Sequence, residues 1–340
     1  MKLFQPKRVY FEEAALNYPL GVKILEQMAV EGVPVRMVGS SNRISGIPGA
    51  TPQESYREGK NTLVVGVKRG LKLATCKPSS DFEFSLATGC PGGCQYCYLQ
   101  THLGQKPYIR IHVNIEEILD QVLKITAKNH PRITTFEAAS ASDPLAVEHL
   151  TGSLARAISF FGSLESARLR AVTKFPNIDS LLNLDHQGRT RFRFSLNTAS
   201  IINRYEFNTA TLPERINAAQ KMSQAGYPVG FIIAPIFIYP DYLKEYEALF
   251  QQLESALKPA PSGLTFEYIT HRFTASAKKV ILERFPNSDL DLNETTRKKR
   301  YGKYGLVKYI YPDPDYQRLK TEMLQLAARY FPQAKVEYFT

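Results

Sequence analysis

Cys90, Cys94 and Cys97 fall in the run Cys90-Pro-Gly-Gly-Cys94-Gln-Tyr-Cys97, and Cys76 is the fourth and last cysteine of the chain. Three thiols this close cannot all pair among themselves, and clustering of this kind points to metal ligation before disulfide bonding. The C-x3-C-x2-C spacing lets three thiolates take three irons of a cubane iron–sulfur cluster and leaves the fourth iron without a protein ligand. An open position is where a reactive metal site admits a substrate or cofactor. Pro91, Gly92 and Gly93 let the loop wrap a bulky group without side-chain collision. Structural zinc, with Cys76 or His102 as fourth ligand, is an alternative reading of the same residues, and three inert buried thiols are another. Zinc knuckles usually set two C-x2-C pairs, and this chain has one.

Such a loop needs elements to hold it. A strand-like run at 82–87 leads straight into it. Ile115, Ile118, Leu119, Val122 and Leu123 then make one apolar stripe at helical spacing, with Asn114 as N-cap and Pro131 beyond the end. The alternation repeats: strands at 133–138, 168–174, 191–196, 229–234 and 264–269, with helices at 146–161, 178–184, 212–225 and 241–257 between them. Strand–helix alternation requires parallel pairing with crossover helices. The expected fold is α/β, a partial (β/α)6 barrel, since the full eight-fold barrel takes about 250 residues. The barrel is expected at 79–275, after an N-terminal extension (1–78, with an amphipathic segment at 13–30) docked on it. A C-terminal segment (276–340) follows, with a hairpin, a helix at 316–330 and a short strand at 335–339.

Barrel chemistry sits at the C-terminal ends of the strands. Those ends read Glu137-Ala-Ala-Ser140-Ala-Ser142-Asp143, Lys174, Ser195 with Asn197, and Ala234-Pro235. Lys174 suits a carboxylate, and Ser142, Ser195 and Asn197 suit amine or ribose groups. Singly, each is also an ordinary turn or cap residue.

The chain has 340 residues, 44% of them hydrophobic and 22% charged, enough for a sizeable core and unlike a disordered chain. The longest apolar stretch, 231–238, is far short of the ~18 residues of a membrane helix. No signal-peptide pattern opens the chain, so a cytoplasmic protein is expected. A net charge of +11 makes polyanions the first suspected partners. The tail concentrates that charge: Arg297, Lys298, Lys299, Arg300, Lys303 and Lys308 interleave with Tyr301, Tyr304, Tyr309 and Tyr311. Cations for phosphates alternating with rings that stack or wedge make a nucleic-acid contact, and a solvated hairpin is the plain alternative. His271 and Arg272, just after the sixth strand, are expected at the same mouth.

The cysteine loop after the first strand of such a repeat resembles the radical S-adenosylmethionine (SAM) superfamily. With SLATGCPGGCQYCYLQT, EAASASDPLAVEHL, VTKF, RFSLNT and KYGLVKYIYP, the chain is similar over nearly its whole length to the spore photoproduct lyases. The resemblance implies a DNA-repair lyase in which a [4Fe-4S] cluster on Cys90, Cys94 and Cys97 binds and reduces SAM. The 5′-deoxyadenosyl radical so formed takes hydrogen from C6 of spore photoproduct, the thymine–thymine lesion, which reverts to two thymines. Tyr96, Ser142, Lys174, Ser195, Asn197 and Ala234 would line the SAM site, and Tyr98 would join Tyr96 in a radical relay. Lys298, Lys299, Arg300, Tyr301, Lys303 and Tyr304 would contact lesion-bearing double-stranded DNA. A one-electron reductant such as flavodoxin or ferredoxin, and the bacterial spore core or germinating cell as setting, belong to the same implication.

One position departs from the pattern. The family's hydrogen-donating cysteine ends an EAxC stretch, and here that stretch is Glu137-Ala138-Ala139-Ser140. An O–H bond is far stronger than an S–H bond, so Ser140 does not replace a thiol donor. The expectation is an engineered variant with the donor removed and clean thymine repair impaired; use of another donor, or a slip in the alignment of this stretch, are the alternatives. Cys76 is the one thiol left over, and nothing in the sequence places it at the mouth. Two other classes stay in view: a different radical SAM enzyme acting on nucleic acid, and a zinc-stabilised, non-catalytic DNA-binding protein.

Overall fold

The computed structural model describes residues 1–138, 140–302 and 307–340. The chain forms two compact units, Met1–Gly92 with Leu103–Arg191, and Gly93–His102 with Phe192–Thr340. This division follows packing and runs along different lines from the three sequence segments.

The first unit holds two sheets. In one, strands Val35–Val38, Arg8–Glu12, Thr62–Gly66 and Ile109–His112 lie side by side in parallel, and Ala87–Thr88 closes the edge antiparallel. Val9, Phe11, Leu63, Val65, Ile109 and Ile111 are buried in one core with Ile24 and Met28 of the helix Pro19–Val30. The amphipathic segment at 13–30 is thus a 3-10 turn, Glu13–Asn17, and then a helix that starts where Pro19 supplies its preset φ. The extension supplies three strands of this sheet, and 87–88 and 109–112 complete it; strands of four and five residues hide such a sheet from periodicity arguments.

In the other sheet the expected series begins, here labelled β1 Phe82–Phe84, β2 Thr134–Ala138 and β3 Ala167–Thr173. β1 and β3 flank β2 in parallel, and Ala74–Thr75 pairs antiparallel with β1. Side chains alternate across β2. Phe136 stacks against Phe82 and meets Phe161 of the helix Ser153–Gly162, while Glu137 turns to the opposite face and is buried there. The helix expected at 146–161 is a 3-10 turn, Pro144–Val147, followed by Glu148–Thr151 and Ser153–Gly162, the last two separated where Gly152 takes a left-handed conformation at φ 64°. Only a short 3-10 turn, Asp179–Leu181, stands for the helix expected at 178–184. Asn114 does precede the helix Ile115–Asn129, but its side-chain amide bonds Lys68 and Glu117 rather than capping.

In the second unit the series continues as β4 Thr190–Leu196 (from Phe192 onward), β5 Val229–Ile236 and β6 Thr265–Thr270, all parallel, with Lys335–Phe339 parallel to β6. The crossover helices are Leu212–Gln224, opened by a Thr211–Glu214 capping box, and Tyr242–Ala256. The helix Asp313–Tyr330 leads to the last strand. A strand stands at each of the six expected places, β1–β3 mutually parallel within the first unit and β4–β6 within the second. No helix among the described residues is long and apolar enough to cross a membrane.

Candidate functional site

The cysteine loop is fixed from several sides, and Gly89 starts it. Its φ is +80°, and a Cβ there would lie 2.4 Å from the Tyr108 carbonyl oxygen, so only glycine fits. The Gly89 N–H donates to the Ala141 carbonyl at 2.9 Å, and Gly89 bridges Ser142 in parallel, which sews the loop to the segment after β2. The Gly92 N–H donates to Cys90 Sγ at 3.3 Å, a contact that suits a thiolate. Within the second unit, Gly93–Cys94 pairs antiparallel with Glu206–Phe207, the Gln95 N–H donates to the Tyr205 carbonyl at 2.9 Å, and Gln100 Nε2 donates to the Cys94 carbonyl at 2.9 Å. Arg284 in turn donates to the Gln100 carbonyl at 2.7 Å and to its Oε1 at 2.6 Å.

None of the four cysteines is in a disulfide. Cys94 is buried, and Cys90 and Cys97 are half-buried. Among the described residues no three His, Cys, Asp or Glu side chains close on a single metal ion. The donor set fits a cluster on other grounds: three thiols at the loop spacing with no disulfide among them, a backbone N–H already on one sulfur, and glycines where side chains would collide.

Tyr96 donates its phenol hydrogen to Glu206, and burial together with that carboxylate pushes the phenol well above its usual range. Glu206 also accepts from Arg215 Nη2 at 2.5 Å, and both charged groups are fully buried. Arg215 further donates to the Ser195 and Ala210 carbonyls, each at 2.9 Å. None of this pair was legible as part of the site; its signal would have been a lone Arg in the apolar stripe of a helix. Tyr98 is 54% exposed and lies edge-on to His102.

In the first unit, Ser142 is buried and its hydroxyl has no hydrogen-bond partner, an orphan that a ligand group would satisfy. Asp143, also buried, accepts from Thr173 Oγ1 at 3.1 Å and from the Lys174 N–H at 2.8 Å through Oδ2. Burial raises its carboxyl to about 6. Ser140 is half-buried in the turn after β2. With Ala141, Ala74 and Glu83 it lines a cavity edged by Lys68 and Lys72.

In the second unit, Ser195 is buried near the end of β4. Asn197 is fully buried and engaged at both ends of its amide: Oδ1 accepts from the Tyr246 hydroxyl at 2.9 Å, and Nδ2 donates to the Pro235 carbonyl at 2.7 Å. Ala234 lies partly buried on β5. His271 does not face an open mouth. It is buried against Phe237, with ring centroids 4.6 Å apart, and burial with the Arg297 charge lowers its pKa to about 3.

The basic tail forms a hairpin, Lys298–Tyr301 against Val307–Ile310, with Arg300 opposite Lys308. Three of its expected contact residues are not on the surface. Arg297 is buried, 3.9 Å from the Tyr311 ring centroid and 2.7 Å from Asp291, while Tyr309 and Tyr311 are buried with it. These three anchor the hairpin. Lys298, Lys299, Arg300 and Tyr301 are exposed, Tyr301 at 74%; Lys303 and Tyr304 lie outside the described residues.

A sequence model of the spore photoproduct lyase family matches residues 4–340. The chain belongs to this family. It is 48% identical over 341 residues to the spore photoproduct lyase of Geobacillus sp., covering all of both chains, and 45% identical to that of Bacillus subtilis, covering 99% of each. A solved spore photoproduct lyase with bound AdoMet and dinucleoside spore photoproduct matches at TM-score 0.97 and 48% identity, over all of both chains. In it the cysteine numbered as this chain's Ser140 is alanine, and the serine numbered as this chain's Cys76 is cysteine. A second solved variant, at the same TM-score, identity and coverage, carries serine in place of that cysteine. The α/β class of six parallel strand–helix repeats, the radical SAM lyase activity on spore photoproduct and the use of SAM are those of this family.

Proposed function

We propose that this chain completes spore photoproduct repair with Cys76, on a neighbouring hairpin, as the hydrogen donor in place of a cysteine at Ser140. Cys90, Cys94 and Cys97 would hold a [4Fe-4S] cluster, and Ser142, Lys174, Ser195, Asn197, Ala234 and Tyr96 would line the SAM pocket. The bound pair supplies a 5′-deoxyadenosyl radical for hydrogen abstraction at C6 of the lesion. The rest falls to side chains. Lys174 pairs the SAM carboxylate and the unpartnered Ser142 hydroxyl takes a polar SAM group. Asn197, locked by Tyr246 and Pro235, presents a fixed edge.

The observation that carries the donor assignment is the place of Cys76. It directly follows Ala74–Thr75, the strand paired with β1. Its thiol hydrogen-bonds Ser80 and Glu83 and lies in the field of Glu137, and Glu83 and Ala74 line the same cavity as Ser140. Burial, with those two carboxylates, pushes the thiol up to about 11, so at neutral pH it stays S–H. That is the form a donor needs: the C–H bond of the thymine methyl forms as the S–H bond breaks, and the thiyl radical left behind would regain one hydrogen atom relayed through Tyr98 and Tyr96 from the 5′-deoxyadenosine that took the C6 hydrogen, so that SAM is re-formed. The relative with a cysteine at the same number, bound to AdoMet and the dinucleoside lesion, supports the reading. On this reading repair is intact, and the expectation of an impaired form gives way to its alternative of another donor.

The decisive experiment runs the reduced, reconstituted enzyme on the dinucleoside lesion in D2O, where the thiol exchanges. The intact chain yields two thymines with deuterium in one methyl, and Cys76→Ala loses both the clean product and the label. Full yield of labelled thymine from Cys76→Ala would overturn the assignment.

For the macromolecular partner, the exposed Lys298, Lys299 and Arg300 support contact with the phosphates of double-stranded DNA, with the Tyr301 ring free to wedge at the extruded lesion. A flavodoxin- or ferredoxin-type reductant and the cytoplasm of a spore-forming bacterium complete the proposed setting.

A further inference from the structure

The N-terminal sheet reaches into the cysteine loop through one side chain. The helix Pro52–Lys60 is held along its length. A capping box joins Thr51 and Glu54 at its start, and Arg8 Nη2 donates to Glu58 Oε2 at 2.6 Å. Gly59 backs onto Lys106 and Pro107 so closely that a Cβ would lie 2.8 Å from their backbone atoms. Two residues after the helix, Thr62 opens a buried strand of the parallel sheet. Lys60 is therefore delivered in a fixed direction. Its Nζ donates to the Cys90 carbonyl at 2.6 Å and to the Gly92 carbonyl at 2.8 Å, and sits 5.4 Å from the Tyr56 ring centroid.

We propose that Lys60 is a positioning residue for the iron–sulfur site, which clamps the Cys90–Gly92 turn and places a fixed positive charge that favours the one-electron reduced cluster. The proposal rests on the reading of Cys90, Cys94 and Cys97 as cluster ligands. Three thiolates leave a cubane with net negative charge, and the added electron deepens it. A cation held on the ligand's own carbonyl offsets that charge across a short, partly dry distance, and net charge and hydrogen bonding near the sulfurs set cluster potentials. The same two hydrogen bonds orient the turn in which the Gly92 N–H meets Cys90 Sγ.

The test is a redox titration of the reconstituted full-length chain without SAM, followed by the electron paramagnetic resonance of the reduced cluster, with iron and sulfide counted alongside. Lys60→Gln is expected to give a midpoint shifted to more negative potential, seen as a several-fold smaller reduced fraction at a fixed solution potential, or a loss of iron. Lys60→Arg, which keeps the charge and two donors, is expected to restore both. Lys60→Met, which keeps the stem over Tyr56, carries the same expectation if Lys60→Gln does not fold. An unchanged midpoint and iron content in the uncharged variants overturns the proposal, as does Lys60→Arg behaving like them. A wild-type chain that takes up no cluster at all would instead sink the ligand reading, and is distinguished by the iron count.

Discussion

The carboxylate of Asp143 accepts the backbone N–H of Lys174 at 2.8 Å, which ties the end of β3 to the segment that follows β2. The one bond couples two residues of the proposed SAM pocket: Ser142 sits beside the acceptor, and the Lys174 side chain leaves from the donor. Its acceptor is buried, and burial outweighs the hydrogen bonds from Lys174, Thr173 and Leu145 that favour its charged form.

This makes stability at that point depend on pH. Burial raises the Asp143 carboxyl from 3.8 to about 6, so the folded chain holds the proton more tightly than the unfolded chain does. The stabilisation is therefore fully present below about pH 4 and is lost as pH rises through about 6. Asp143→Asn removes this dependence. The expected result is a variant that gains on the wild type between pH 4 and pH 7, by up to about 3 kcal/mol, in denaturant melts at matched pH. Parallel curves for the two proteins would refute it.

Arg215 and Glu206 form a fully buried ion pair that also receives the Tyr96 phenol. Neutralising one member leaves the other charge without compensation in the interior. Glu206→Gln is expected to cost about 3–5 kcal/mol in urea unfolding, and Tyr96→Phe only about 1 kcal/mol. Equal losses would mean that the phenol, not the ion pair, carries the site.

The hairpin is tested by salt. Each phosphate contact contributes about 0.9 to the slope of log affinity against log salt on duplex DNA. Lys299→Ala and Arg300→Ala are each expected to lower the slope by about that amount. Lys298→Ala is expected to lower it less, because Lys298 already pairs with Asp313 at 2.6 Å. Arg297→Ala is expected to act differently, melting the chain at lower temperature because it removes the cation packed between Tyr311 and Asp291.

The six strands were legible because short apolar or alternating runs recur between helical stripes, and the cysteine loop because thiols at that spacing have few other uses. What lay beyond reach was direction. Arg297 and Lys299 look alike in a charge run, yet one is buried against aromatic rings and the other faces water. His271 follows a strand as an active-site histidine would, but its ring is buried in the core, tilted against Phe237. Asn197 reads as a free polar group at a strand end, whereas Tyr246 and Pro235, both distant in sequence, claim its amide. Lys60 gave no local signal, since its partners lie 30 and 32 residues further along the chain. Cys76 was visible as a leftover thiol, and only the pairing of Ala74–Thr75 with β1 gave it neighbours.

The parallel sheet at the start of the chain has a practical consequence. Ile109–His112 is paired on one side by Thr62–Gly66 and on the other by Ala87–Thr88. Trimming the protein back to its strand–helix repeats would strip away the first of these neighbours and leave a row of bare amides beside Ile109 and Ile111. An uncovered apolar edge invites self-association, so a minimal version of this enzyme would come out of the cell as aggregate rather than as a smaller catalyst.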